Sequence, residues 1–387
     1  MISAAMVLAL PSFAPTPLPP RQPFRAPVHI PMGSASSPQA VAAADFDGDG
    51  KKDVAVASDG SNDVTILRGD GAGGLRVAGR FPSGQQPAEV LAVDLDRDGA
   101  IDLAIPNHET SGVTLLKGDG HGGFRPFPQS PLTVHSKPHP HTIDACDANG
   151  DGWLDLIVDD WGENRLTLVL SDGKGGFRGP GTPIEVGRKP YRNLRTRDLD
   201  GDGRCDIVAP SYELGVVTVL IGDGRGGFRA QPPIAAGPAP FVVAIADLNR
   251  DGKLDLAINN YSGQITDASD DALTFLLGDG RGGFRLGPRI ATGRGPFDVA
   301  AGDIDGDGYA DAATANHASA DLTVSFGGPD GLSPSRTVQV PVGSKVDRVL
   351  LTDLNGDGKA DAVTVAREDH DVAVLIEMTN AYRKERP

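Results

Sequence analysis

Apolar residues in this chain come in short runs, each cut off by glycine, proline or aspartate, so the pattern predicts strands and tight turns rather than sustained helices. One stretch shows the rhythm. Val90 to Asp94 (VLAVD) is a small-residue apolar strand that runs into an acidic loop, and Ile101 to Ile105 (IDLAI) leads out of it. Strand, tight loop, strand is a hairpin. Gly112 to Leu116 (GVTLL) supplies a third strand, ended by Gly118-Asp119-Gly120, and Phe124 opens a fourth, more polar one that stops at proline and glycine.

The same unit recurs. The string D-x-[DN]-x-D-G-x-x-D begins at Asp45, Asp94, Asp147, Asp198, Asp247, Asp303 and Asp353, at intervals of 49, 53, 51, 49, 56 and 50 residues. A period near fifty with four short strands is that of propeller blades and is far too long for a β-helix. A second signature follows the third strand: LRGDGAGGL from Leu67, LKGDGHGGF from Leu116, LSDGKGGF from Leu170, LIGDGRGGF from Leu220, LGDGRGGF from Leu277 and a weaker FGGPDGL from Phe326. Its glycines suit a turn needing positive φ, and the trailing Phe is placed to plug the gap between blades.

The seventh repeat lacks this turn and a fourth strand after Val372 to Ile376, while Phe24 to Ile30 (FRAPVHI) copies the fourth-strand pattern of Phe228 to Ile234 and Phe284 to Ile290. The expected fold is therefore all-β: a seven-bladed β-propeller of four-stranded antiparallel blades, spanning 24–387, with the ring closed by the N-terminal strand and no open sheet edge. Residues 1–23 are expected to form a separate leader. An apolar run from Met1 to Leu10, too short to span a bilayer, precedes a proline-rich stretch and reads as a signal-like or disordered segment, pointing to a secreted protein without a transmembrane span.

Composition changes the picture in one respect. With 36 basic against 52 acidic residues the net charge is -16, which argues against nucleic acid and for cations. The two cysteines, Cys146 and Cys205, sit at different motif positions in different repeats; small, partly buried thiols are the expectation, with a disulfide as the alternative.

Of the acidic residues, 25 lie in the seven motifs. Each loop offers side-chain oxygens at positions 1, 3, 5 and 9, with Gly at 6 for the sharp turn and a main-chain carbonyl at 7, the spacing that wraps one Ca²⁺ in the first half of an EF-hand loop. The sets are Asp45, Asp47, Asp49 and Asp53; Asp94, Asp96, Asp98 and Asp102; Asp147, Asn149, Asp151 and Asp155; Asp198, Asp200, Asp202 and Asp206; Asp247, Asn249, Asp251 and Asp255; Asp303, Asp305, Asp307 and Asp311; and Asp353, Asn355, Asp357 and Asp361. Position 12, the EF-hand glutamate, is here an apolar strand residue such as Val56 or Ile105, so a β-hairpin holds the ion. Clustered carboxylates repel without a counter-ion, so up to seven structural Ca²⁺ are expected, weakest where Asn149, Asn249 or Asn355 removes a charge.

Motifs such as DFDGDGKKD, DLDRDGAID and DLNGDGKAD, seven in register, make the chain resemble the FG-GAP (VCBS) repeat family, known from integrin α-subunit propellers, a fungal seven-bladed lectin and many bacterial secreted proteins. The resemblance covers residues 24 to 387. It implies a seven-bladed propeller, calcium in the first hairpin loop, and adhesion or carbohydrate binding as a role. The altered turn at Gly327-Gly328-Pro329, and its absence from the last repeat, depart from the pattern only at the outer edge of those blades.

Calcium hairpins and GDG turns are expected on one face and the strand two to three and inter-blade loops on the other. That second face offers His108, His139, Trp161, Tyr191, Tyr212, Tyr261 and His317, aromatic rings beside amides and carboxylates, suited to a glycan or an extracellular protein. The post-proline residues His139, Tyr191, Phe241 and Phe297 have inter-blade packing as their competing role. The expected function is a monomeric calcium-stabilised binding or adhesion module. The alternative is a polysaccharide lyase or hydrolase using the loop face, where His135, His139 and His141 with Asp144 are candidate zinc ligands.

Overall fold

The computed structural model describes residues 22–110, 112–134, 139–160, 163–186, 194–261 and 271–378. Seven antiparallel sheets form the blades. The first blade runs Pro38–Ala44, Asp53–Ser58, Asp63–Gly69 and Leu75–Pro82, each strand paired with the next. The innermost strands touch one another around the ring axis, as Pro240–Ala246 touches Pro296–Gly302 and the latter touches Arg348–Thr352. The second strand is the most buried, every residue of it in all seven blades. The innermost strand of the second blade, Leu91–Val93, is only partly buried, with Leu91 and Val93 packed against the seam to the third blade.

Closure is as expected from the orphaned fourth-strand pattern. Val28–Pro31 pairs antiparallel with Asp371–Leu375, Ile30 opposite Val372 and Val28 opposite Val374. Arg25 N donates to the Ile376 carbonyl at 2.8 Å, and Phe24 is buried against the last two blades. The altered turn costs the sixth blade no strand: Thr337–Pro341 pairs along all of Asp321–Ser325.

Apolar side chains segregate into seven clusters, each between two adjacent blades. Ala55 and Val64 of the first blade, for example, pack with Val90 and Leu103 of the second. Phe124 plugs that same gap, edge-on to Phe46 at 5.6 Å and to Phe81 at 5.2 Å. The core is thus a ring of seven seams, which burial of one sheet face against the next produces without any helix. Among the described residues no helix is long and apolar enough to cross a membrane.

The expectation of two separate thiols is corrected: Cys146 and Cys205 are disulfide-bonded, with Cα atoms 6.0 Å apart. Cys146 ends the innermost strand of the third blade, and Cys205 directly precedes the second strand of the fourth, so the bond staples adjacent acidic hairpins across a seam. Motif position does not reveal this, because the fan of the blades sets which positions face across a seam.

Candidate functional site

The seven acidic hairpins and the GDG turns share one face of the ring. Gly122, in the GDG turn of the second blade, donates its N–H to the Phe46 carbonyl in the acidic loop of the first, and Gly226 does the same to Ala148. Within each loop the first aspartate closes the turn. Asp45 Oδ1 accepts the N–H groups of Gly48 (2.8 Å) and Asp49 (3.2 Å), and its Oδ2 accepts that of Gly50 (2.9 Å). Gly50 sits at φ +82°, where a side chain would be strained.

The last aspartate does something the spacing did not announce. Asp53 Oδ2 accepts Phe46 N–H and Oδ1 accepts Gly69 N–H, so one carboxylate ties the hairpin to the far end of the third strand. All seven loops repeat this tie, through Asp102, Asp155, Asp206, Asp255, Asp311 and Asp361 as well. The approach is close enough that a Cβ on Gly69 would strike the Lys52 carbonyl. These carboxylates are buried, and burial is the main influence pushing their pKa up despite the two N–H groups: to about 6 for Asp102, Asp155 and Asp255, and about 7 for Asp311.

Truncating such a tie is expected to be costly. Asp102→Ala leaves the N–H groups of Leu95 and Gly118 without an acceptor, a loss of about 3 kcal/mol at roughly 1–3 kcal/mol per buried group. Urea unfolding in EGTA measures it. Asp98→Ala, at the exposed end of the same loop, serves as the control and should stay within about 0.5 kcal/mol. An Asp102→Ala midpoint equal to that of the control would refute the tie.

The oxygen set fits a calcium ion. Carboxylate oxygens of Asp45, Asp47 and Asp53 lie within 4.8 Å of one another, as do those of Asp94, Asp96 and Asp102, of Asp198, Asp200 and Asp206, and of Asp303, Asp305 and Asp311. Calcium–oxygen bonds of roughly 2.3–2.6 Å allow that spread around one centre. In the other three loops Asn149, Asn249 and Asn355 hold the third position. Basic side chains also lean in: Arg68 bridges Asp47 (2.6 Å) and Asp49 (3.2 Å), Lys117 bridges Asp96 and Asp98, and Arg336 reaches Asp305 (3.6 Å) and Asp307 (3.4 Å). In these three loops a divalent ion would share or displace an existing counter-charge.

The opposite face gathers residues that sequence places far apart. Tyr212, Phe241, Tyr261, Phe297 and His317 form a continuous aromatic row across the fourth to sixth blades, with successive ring centroids 5.1–6.4 Å apart. Phe241 is buried within the seam and acts as packing, whereas Tyr212, Tyr261, Phe297 and His317 are half-buried. His317 Nδ1 lies 2.9 Å from Asp347, and that bond holds its pKa above the usual value.

His108 and His139 also meet, joined by His141, while Trp161, Tyr191 and His135 lie outside the described residues. Asp144 is not part of the histidine group as expected: its Oδ2 accepts Thr196 N–H at 2.8 Å across the seam to the fourth blade.

A third feature escaped the sequence reading altogether. The axial channel holds a cavity of about 300 Å³ whose lining sets the charged side chains of Glu89, Arg195, Asp298 and Arg348 among apolar inner-strand residues such as Val243 and Leu350. Arg348 donates to the Gln39 carbonyl at 3.1 Å and sits 3.7 Å from Asp298, tying the first, sixth and seventh blades together. The available signal was a lone charge in an otherwise apolar inner strand.

Comparison with known proteins agrees with this architecture. The FG-GAP-like repeat model matches residues 45–105, 94–158 and 198–258. No curated protein matches the chain. Among solved structures it is similar to BBS1N in complex with ARL6DN (12% identity, 92% of this chain and 98% of that one, TM-score 0.64). It is also similar to virginiamycin B lyase from Staphylococcus aureus (13% identity, 92% and 100%, TM-score 0.59) and to a Lactobacillus plantarum protein (18%, 79% and 85%, TM-score 0.58). Identities this low carry the fold alone: the chain is a seven-bladed β-propeller, and residues 45–105, 94–158 and 198–258 of it are FG-GAP-like repeats.

Proposed function

We propose that this propeller is a calcium-stabilised, secreted binding module that recognises carbohydrate or extracellular protein on the face opposite its acidic hairpins. The observation that carries the reading is the aromatic row from Tyr212 to His317, whose half-buried rings sit beside polar groups such as Asp347. Flat apolar rings flanked by oriented hydrogen-bonding groups suit a sugar face or a peptide. Export is supported by the Cys146–Cys205 bond, since structural disulfides persist in oxidising compartments, and by oxygen-only metal loops suited to extracellular calcium. The structural neighbour BBS1N was solved in complex with ARL6DN, which supports reading this ring as a docking platform.

The test is to probe the full chain, with calcium, on glycan and extracellular-protein arrays, alongside a Tyr261→Ala, His317→Ala double variant. Loss of the signal in the variant is expected. A ligand bound equally by both proteins would move the site elsewhere on the ring.

A further inference from the structure

We propose that His108, His139 and His141 form a site for one divalent transition-metal ion, zinc foremost, at the seam between the second and third blades. The three residues come from two elements: His108 follows the second strand of the second blade, Asp102–Pro106, and His139 and His141 precede the innermost strand of the third, Ile143–Cys146. One ring nitrogen from each lies within 4.8 Å of the others. His139 Nδ1 and His108 Nε2 are 3.1 Å apart. Zinc–nitrogen bonds of 2.0–2.1 Å in a tetrahedron place neighbouring nitrogens roughly 3.3 Å apart, so little movement is needed to close on an ion.

The surroundings orient the rings as metal-bound histidines are oriented. His108 Nδ1 lies 3.1 Å from Glu109 Oε1, and His141 Nδ1 lies 3.3 Å from Asp159 Oδ2. A carboxylate on Nδ1 keeps the proton there and puts the ligating lone pair on Nε2. Asp159 is itself fully buried and fixed by the N–H groups of His141 (2.6 Å) and Thr142 (2.7 Å). His139 is held at φ +106°, a conformation a non-glycine residue rarely adopts, and a metal bond offsets that strain.

Imidazole selects zinc, copper or nickel over calcium, so this site is chemically separate from the acidic hairpins. A cavity of about 120 Å³ lined by His108, Gln86, Asp59 and Arg367 adjoins it, with room for a further oxygen ligand. Three histidines and one open position are the pattern of catalytic zinc, a Lewis acid that a lyase or hydrolase could use.

The full chain, saturated with calcium to occupy the acidic loops, is titrated with zinc against a chromogenic chelator and separately with cobalt. One equivalent of zinc and a tetrahedral cobalt spectrum are expected. His108→Ala and His139→Gly should each weaken zinc by more than the 10- to 100-fold that loss of an outer-shell partner brings. Glycine at 139 also relieves the positive φ, so a loss there cannot be ascribed to unfolding. Zinc retained at wild-type affinity in both variants, or an octahedral cobalt spectrum, overturns the site.

Discussion

Removing calcium with EGTA is expected to lower the unfolding midpoint by on the order of 10 °C at pH 7.5, and adding calcium back in excess to restore it. A ligand at a hundred times its Kd stabilises the folded state by about 2.7 kcal/mol per site. The four hairpins with Asp at the third position, if filled, would together contribute about 10 kcal/mol. Unfolding entropy of roughly 2 cal/mol/K per residue converts that to about 10–15 °C for a ring of this size. Magnesium should substitute poorly, because it demands shorter bonds and tighter octahedral geometry than these open loops supply. The effect should grow with pH. In calcium-free protein the buried carboxyls of Asp102, Asp155 and Asp255 titrate near 6, against 3.8 in an unfolded chain, so the folded state holds protons that the unfolded state has released. Stability without calcium therefore falls as pH rises from about 4 to 7. Calcium requires the ionised form, so its binding strengthens over the same range. The gap between midpoints with calcium and with EGTA should accordingly widen from pH 5 to pH 7.5. Superimposable melts in the two buffers at pH 7.5 would show that Arg68, Lys117 and Arg336 suffice as counter-charges.

Deleting residues 1–31 is expected to lower the midpoint by about 5 °C and to promote self-association, whereas deleting 1–21 should do neither. The longer deletion removes Phe24, which is 2% exposed, and the whole strand Val28–Pro31. Burial of one large side chain stabilises by roughly 1.5–3 kcal/mol, and with the lost contacts of Ile30 the total is about 4 kcal/mol. The deletion also strips the partner from Asp371–Leu375, leaving a bare edge that can pair with another chain. Calorimetry and light scattering on the two deletions decide the matter: matching melts would mean that the ring does not depend on its first strand for closure.

Where sequence reading succeeded, the information was local and repeated. Within a blade, strand order follows from alternating apolar runs and turn residues, so the hairpin at Asp94 to Asp102 and the turn at Gly118 to Gly120 were legible from their own neighbourhoods. Seven copies of that local pattern define a ring, and a missing fourth strand at one end with a spare one at the other defines how it closes. The FG-GAP motifs were legible for the same reason, and so was the collection of acidic oxygens at each hairpin tip.

What only the tertiary structure decided lies across the seams. Whether Cys146 meets Cys205, whether His108 rather than Asp144 completes the histidine group, and which inner strands bring Asp298 beside Arg348 all depend on the angle between blades. That angle is set by side-chain packing in seven inter-blade clusters, a collective property with no period of its own in the chain. The second role of Asp53 and its six counterparts also emerged only there, because their acceptor bonds reach a strand end brought alongside by the folding of the blade.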